Sequence, residues 1–262
     1  MLRSRIIPVL LVHNKGLVKT VRFAAPKYVG DPINAVKIFN EKEVDELVVL
    51  DVDATVGGVE PDYAMIRNLA TECRMPLCYG GGVSSVEQAV RIIKLGVEKI
   101  AVSAGAVARP SLVSEIAEFV GSQSVVVVLD VRMNPRTAAP EVWTHNGTRN
   151  TGRNPVDLAA ELASRGAGEI TINSIDHDGV MDGYGIELAR SVRAAVSVPI
   201  TILGGAGNLD DVRSLIQEFG IIGAAAGSLF VFKGVYKAVL INYPNRSQKD
   251  SITGAAMSGA RA

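Results

Sequence analysis

The chain has 262 residues, with 27 Lys and Arg against 27 Asp and Glu, and 48% of its residues are hydrophobic. Zero net charge without a basic run argues against a nucleic-acid or membrane-surface partner, and the opening MLRSRIIPVLLVHNKG has too short an apolar stretch for a secretory signal or a span. Two cysteines, Cys73 and Cys78, give neither a disulfide framework nor metal spacing, so a soluble cytoplasmic protein without metal or cofactor is expected.

Short β-branched runs follow one another along the chain: RIIPVLLV (5–12), ELVVLD (46–51), MPLCYGG (75–81), EKIAVSA (98–104), SVVVVLDV (124–131), EITINS (169–174), VPITILGG (198–205) and IIGAAAGS (221–228). Between them lie segments of helical period such as DPINAVKIFNEKEV, SSVEQAVRIIKLG, DLAAELASRGAG and NLDDVRSLIQEFG, several opening on an Asp, Ser or Asn cap. The strands read as continuous apolar runs, which suits parallel strands covered by helices. Eight such units predict a (β/α)8 TIM barrel as a single domain over 1–246, with a small, polar, flexible tail at 247–262.

The two halves of the chain resemble each other. Glu46 and Glu169, Asp53 and Asp176, and Gly81 and Gly204 share one spacing, 123 residues, as a half-barrel repeat would. VLLV (9–12) overlies VLDV (128–131), which sets Leu11 opposite Asp130. One strand therefore ends on an apolar residue where its counterpart ends on a carboxylate.

YGGGVSS (79–85) and LGGAGNLDD (203–211) place glycines between a strand and a helix, where bare N–H groups and a helix start can hold a phosphate. The next strands add Ala104 and Gly105 to Gly81 and Gly82, and add Ala226, Gly227 and Ser228 to Gly204 and Gly205. Tight βα turns alone would also use these glycines. If both sites bind, a ligand with two phosphate ends lies across the barrel mouth over Asp130.

The chain resembles the cyclase subunit family of imidazole glycerol phosphate synthase in RIIP, GDP (30–32), VDELVVLD, YGGG, GSQ (121–123), GEI followed by NSIDHDG, GYG and GGAG, from residue 1 to about 242. The resemblance implies a bis-phosphorylated ribonucleotide substrate and ammonia from a docked glutaminase that travels through the barrel. It also implies two acid–base aspartates at the ends of strands 1 and 5. Asp130 matches the second and Leu11 replaces the first. Ser103 stands where the family has Asn, Leu203 where it has Ser, and His177 where it has Arg. KTVRFAAPKYVGDPINAVKIFNEKEVDELVVLD and AAAGSLFVFKGVYKAVLINYP look like the amidation-associated paralogues found with surface-polysaccharide genes. That likeness implies a separate sugar amidotransferase as a further partner, and no nucleic acid or membrane.

Four charged residues open strands at one end of the barrel: Arg5, Glu46, Lys99 and Glu169. By resemblance they match the ammonia gate, under which the glutaminase docks at the N-terminal face. As a solvated rim their pairs would each contribute less than ~1 kcal/mol. Five residues separate Glu46 from Asp51, so a regular strand cannot turn both inward. Lys19 matches the family's lid lysine, and is otherwise one more solvated lysine. Asp51, Asp176 and Asp178 orient substrate or cap loops. His13 and His145 are expected at the surface, and Trp143 is expected to pin a hairpin after strand 5. Three readings follow: a glutaminase-coupled barrel feeding amidation of a nucleotide sugar, a working cyclase-lyase relying on Asp130, and a phosphate-binding scaffold that activates its glutaminase without turnover.

Overall fold

The structure, a computed structural model, describes residues 3–259. Eight parallel strands close into a barrel: β1 (Arg5–His13), β2 (Leu47–Asp51), β3 (Leu77–Gly80), β4 (Lys99–Val102), β5 (Val125–Met133), β6 (Glu169–Ser174), β7 (Ile200–Leu203) and β8 (Gly223–Ala226). Each pairs with the next, and β8 returns to β1 through Arg5 opposite Gly223.

Alternation along the strands sorts side chains into two cores. Ile6 and Leu10 of β1 face outward and pack with the helices, whereas Ile7 and Val9 face the barrel axis with Leu203 and Ala225. The outer layer comprises α1 (Pro32–Glu41), α2 (Tyr63–Glu72), α3 (Val86–Lys94), α4 (Ser111–Val120), α5 (Pro155–Ser164), α6 (Ile186–Ala195), α7 (Leu209–Phe219) and α8 (Arg246–Gly259). Side chains cap several of them: Asp31 accepts from Asn34 N, Ser85 from Gln88 N, and Asn208 forms a reciprocal capping box with Asp211. These bonds satisfy N–H groups that have no partner within the helix.

Of the tail expected at 247–262, the part up to Gly259 lies in α8, and 260–262 fall outside the described residues. Within α8, Ile252 is buried, and Lys249 Nζ reaches Asp45 Oδ1 at 3.0 Å and Glu43 O at 2.9 Å. One apolar anchor and one largely buried cation dock a sequence too polar to suggest a helix.

Two insertions decorate the mouth formed by the strand C-termini. After β1, the chain makes an antiparallel hairpin, Gly16–Val21 with Ala24–Gly30, that continues from β1 through Leu11 opposite Val18. After β5, Pro140–Thr144 folds back with Trp143 opposite Asp130, and Arg132 stacks over the indole at 4.8 Å. Trp143 thus lies in the expected hairpin. No helix among the described residues is long and apolar enough to cross a membrane.

Candidate functional site

The mouth holds a pocket of about 540 Å³, the size range of small-molecule sites. Its floor and rim bring together Leu11, Lys19, Asp51, Gly81, Gly82, Ser103, Ala104, Gly105, Asp130, Asp178, Gly204, Gly205, Ala226, Gly227 and Ser228. The two glycine clusters sit on β3–β4 and β7–β8, on opposite sides of an eight-stranded ring. Gly81 has φ +128°, and an added Cβ would meet Asp51 O at 2.5 Å; at Gly205, φ +111°, it would meet Gly183 O at 1.9 Å. The turns therefore demand glycine whether or not an anion binds.

Asp130, on the inner row of β5, accepts a hydrogen bond from Asn173 Nδ2 at 2.8 Å. Burial pushes its carboxyl up to about 7, the Asn173 bond opposes the shift, and the charge of Asp178 adds to it. Asn173 Oδ1 is buried and has no partner, so an acceptor faces this floor beside Asp130. Leu11 lies on the inner row of β1, two residues before His13, and packs with the apolar side chains of the barrel interior. One carboxylate, not two, occupies the floor.

Lys19 is not a solvated lysine. The hairpin after β1 folds it inward, 6% exposed, with Nζ donating to Val9 O at 2.6 Å. Burial lowers its amine to about 8, partly offset by the charge of Asp178. Asp178 also ties the hairpin down, accepting from Thr20 Oγ1 at 2.6 Å and Phe23 N at 3.1 Å. Asp176 does not line the pocket; its carboxylate accepts from Met133 N at 2.8 Å and steadies the loop after β5. His177 pairs with Asp182 at 2.8 Å and holds that carboxyl below its usual range.

Asp51 resolves the parity conflict. Glu46, Val48 and Leu50 form the inward row of β2, so Asp51 faces outward by alternation. It lies at the strand end, however, where it accepts from Asp53 N at 2.9 Å and Ala54 N at 3.2 Å and meets the pocket from the loop. Burial raises its pKa, while those backbone bonds lower it.

Two histidines expected at the surface are partly exposed at the pocket rim. His13 Nδ1 lies 2.6 Å from Asp53 Oδ1, a partner 40 residues away that no local pattern signals. His145 lines the pocket beside Asn146, and burial lowers its pKa, with Arg149 adding to the effect. Among the described residues no cluster of His, Cys, Asp and Glu could hold a metal ion. Burial pushes both thiols up, so neither cysteine is a thiolate at neutral pH.

At the opposite end Arg5, Glu46, Lys99 and Glu169 form a closed ring. Arg5 bonds Glu46 and reaches Glu169 Oε1 at 2.8 Å; Lys99 reaches Glu46 at 2.9 Å and Glu169 at 3.0 Å. The carboxylates are 4% and 7% exposed, so the ring is a buried plug rather than a solvated rim. Thr201, which sequence reasoning missed, donates its hydroxyl to Glu169. Its β-branched side chain in a strand reads as filler until the register is known.

The histidine biosynthesis protein family matches residues 5–237. The chain is 56% identical over 252 residues to a provisionally named imidazole glycerol phosphate synthase subunit HisF of Leptospira borgpetersenii, covering 96% of this chain and 99% of that one. A provisionally named hisF3 subunit of Vibrio vulnificus is 55% identical over 249 residues, 95% of this chain and 96% of its own. The HisF subunit of Hyphomonas neptunium is 40% identical over 232 residues, 88% and 91% of the two chains. The chain belongs to the HisF family. In this HisF-family barrel the charged ring and the glycine-lined mouth lie at the two ends of one inner apolar column.

Proposed function

We propose that this HisF-family barrel takes ammonia from a glutaminase subunit docked over the Arg5 ring and delivers it to a phosphorylated acceptor at the mouth. The acceptor is a nucleotide sugar amidated in surface-polysaccharide synthesis, with a separate sugar amidotransferase completing the transfer. The observation that carries this reading is Leu11. Ring closure and fragmentation of the family's ribonucleotide needs one group to accept a proton and another to donate one, and leucine does neither. The charged ring, whose carboxylates are almost fully buried, supports conduction independently of chemistry at the mouth. So does the apolar column of Val9, Leu50, Ala101, Val128 and Leu203 above it.

In this account the glycine clusters hold the two phosphate ends of the acceptor, with Ser103 and Ser228 beside them, and Lys19 closes over it from the hairpin. Asp51 and Asp178 shape the rim. The glutaminase meets the N-terminal face, where Arg5 and Lys99 are the partly exposed members of the ring.

Asp130 favours one second reading, a slow cyclase-lyase. A carboxyl near pH 7 exists in both protonation states at neutral pH and can serve as acid and base in turn. The purified protein, given the bis-phosphorylated ribonucleotide and an ammonium salt, decides between them. The proposal expects turnover at least ~100-fold below that of a relative with aspartate at the Leu11 position, since lost acid–base catalysis costs ~10²–10⁴-fold. Turnover within about tenfold of that relative overturns it in favour of the cyclase.

A further inference from the structure

Directly behind the charged ring lies a cavity of about 20 Å³, room for one molecule the size of water or ammonia. Its wall is largely apolar, formed by residues such as Ile7, Val48, Val126 and Ala225. Two hydroxyls interrupt it. Thr171 and Thr201 are register partners on β6 and β7, so their side chains share the inner face. They are 8% and 3% exposed.

The two differ in one respect. Thr201 Oγ1 donates to Glu169 Oε1, which commits its proton and leaves oxygen lone pairs available to the cavity. Thr171 makes no side-chain hydrogen bond to the protein among the described residues, although the residue is more than nine-tenths buried. A hydroxyl with no protein partner leaves its hydrogen-bonding capacity unmet, and the cavity that Thr171 lines is the space in which a partner fits. Gly223 of β8 preserves this arrangement, since a Cβ there would lie 1.8 Å from Thr201 Oγ1.

We infer that Thr171 and Thr201 form a binding stop for one small neutral hydrogen-bonding molecule, water at rest and ammonia in the working complex. The donor and acceptor pattern matches. The Thr171 hydroxyl donates to the lone pair of the guest, and the guest donates to Thr201 Oγ1 and to the Glu169 carboxylate. Ammonium matches poorly, because it has no lone pair to accept from Thr171. The ring also balances two cations with two carboxylates, leaving no surplus negative charge to offset burial of a cation. The stop therefore selects ammonia in its uncharged form before the apolar column. That ammonia is the working guest rests on the function proposed above; the site itself does not.

Crystals of the full chain, of Thr171→Val and of Thr201→Val test the site, since valine keeps the side-chain shape and removes only the hydroxyl. The wild-type cavity is expected to hold one ordered peak within hydrogen-bond distance of Thr171 Oγ1, lost in Thr171→Val. An empty wild-type cavity, or a peak unmoved in Thr171→Val, overturns the site. The guest is tested in the complex with the glutaminase, by the fraction of ammonia released from glutamine that escapes to bulk solvent. Thr171→Val is expected to raise that fraction about fivefold at unchanged glutamine turnover, the factor that one ordinary hydrogen bond carries. An unchanged fraction, with the peak lost, overturns ammonia as the guest. Failure to form any glutaminase complex counts against the function proposed above, while the crystallographic comparison still decides the site.

Discussion

Arg5→Ala is expected to destabilise the barrel by about 3–5 kcal/mol near neutral pH, far more than loss of a surface ion pair. Arg5 pairs with both Glu46 and Glu169, and those side chains are 4% and 7% exposed. Its removal leaves two buried carboxylates facing Lys99 alone. In the native ring burial raises the pKa of Glu169, but Arg5 and then Lys99 outweigh it and hold the carboxyl low. Stability from Glu169 is therefore present above its ordinary value and lost as pH falls through the lowered native one. Without Arg5 the burial effect loses its main counterweight and the pKa rises, so the variant gains stability by protonation as the pH falls. The difference between the two proteins should shrink steadily from about pH 8 to about pH 5. Urea unfolding followed by circular dichroism at several pH values measures it, and the melting temperature should fall by about 2–4 °C per kcal/mol. A loss below about 1 kcal/mol, flat across that range, would refute the buried-ring argument and return these residues to a solvated rim.

Asp130→Asn should stabilise the protein at about pH 8 and change little at about pH 4. With the native carboxyl at about 7, the wild-type protein loses stability as pH rises from the ordinary carboxyl range to that value. The gain is about 2–4 kcal/mol, read by thermal melts, and an equal effect at both pH values would show Asp130 to be solvated. Crystals grown in phosphate or sulfate should place anions at Gly81–Gly82 with Ala104–Gly105 and at Gly204–Gly205 with Ala226–Gly227; well-ordered, empty loops at high anion concentration would leave the glycines with turn roles only. Leu11→Asp should restore little cyclase turnover, because Ser103 and Leu203 also line the pocket. Full recovery from that single change would show a pocket otherwise intact.

The barrel was legible because its strands are continuous apolar runs and several helices begin on capping side chains. The strands are shorter than the apolar runs at both ends: 75–81 shortens to Leu77–Gly80 and 221–228 to Gly223–Ala226. The glycine clusters, Asp130 and the ring were readable from residue type and place. The hairpin after β1 is not, because its turns place Asn14, Lys15, Arg22 and Phe23 at positive φ, with Gly16 adjoining only the first turn and no glycine at the second. Lys19 and His13 acquire their surroundings only through that hairpin and through Asp53. Thr171 and Thr201 are not legible as site residues, because β-branched residues are ordinary in strands and only the register turns their hydroxyls onto one cavity.

The central claim, that ammonia passes through this barrel to an acceptor at its mouth, is tested most directly by isotope retention. The barrel, its glutaminase and the sugar amidotransferase would be supplied with the nucleotide-sugar acceptor, amide-¹⁵N glutamine and a large excess of unlabelled ammonium, and the amidated product weighed by mass spectrometry. The account predicts that the product keeps the glutamine label. Product carrying the unlabelled nitrogen of the bulk would contradict it.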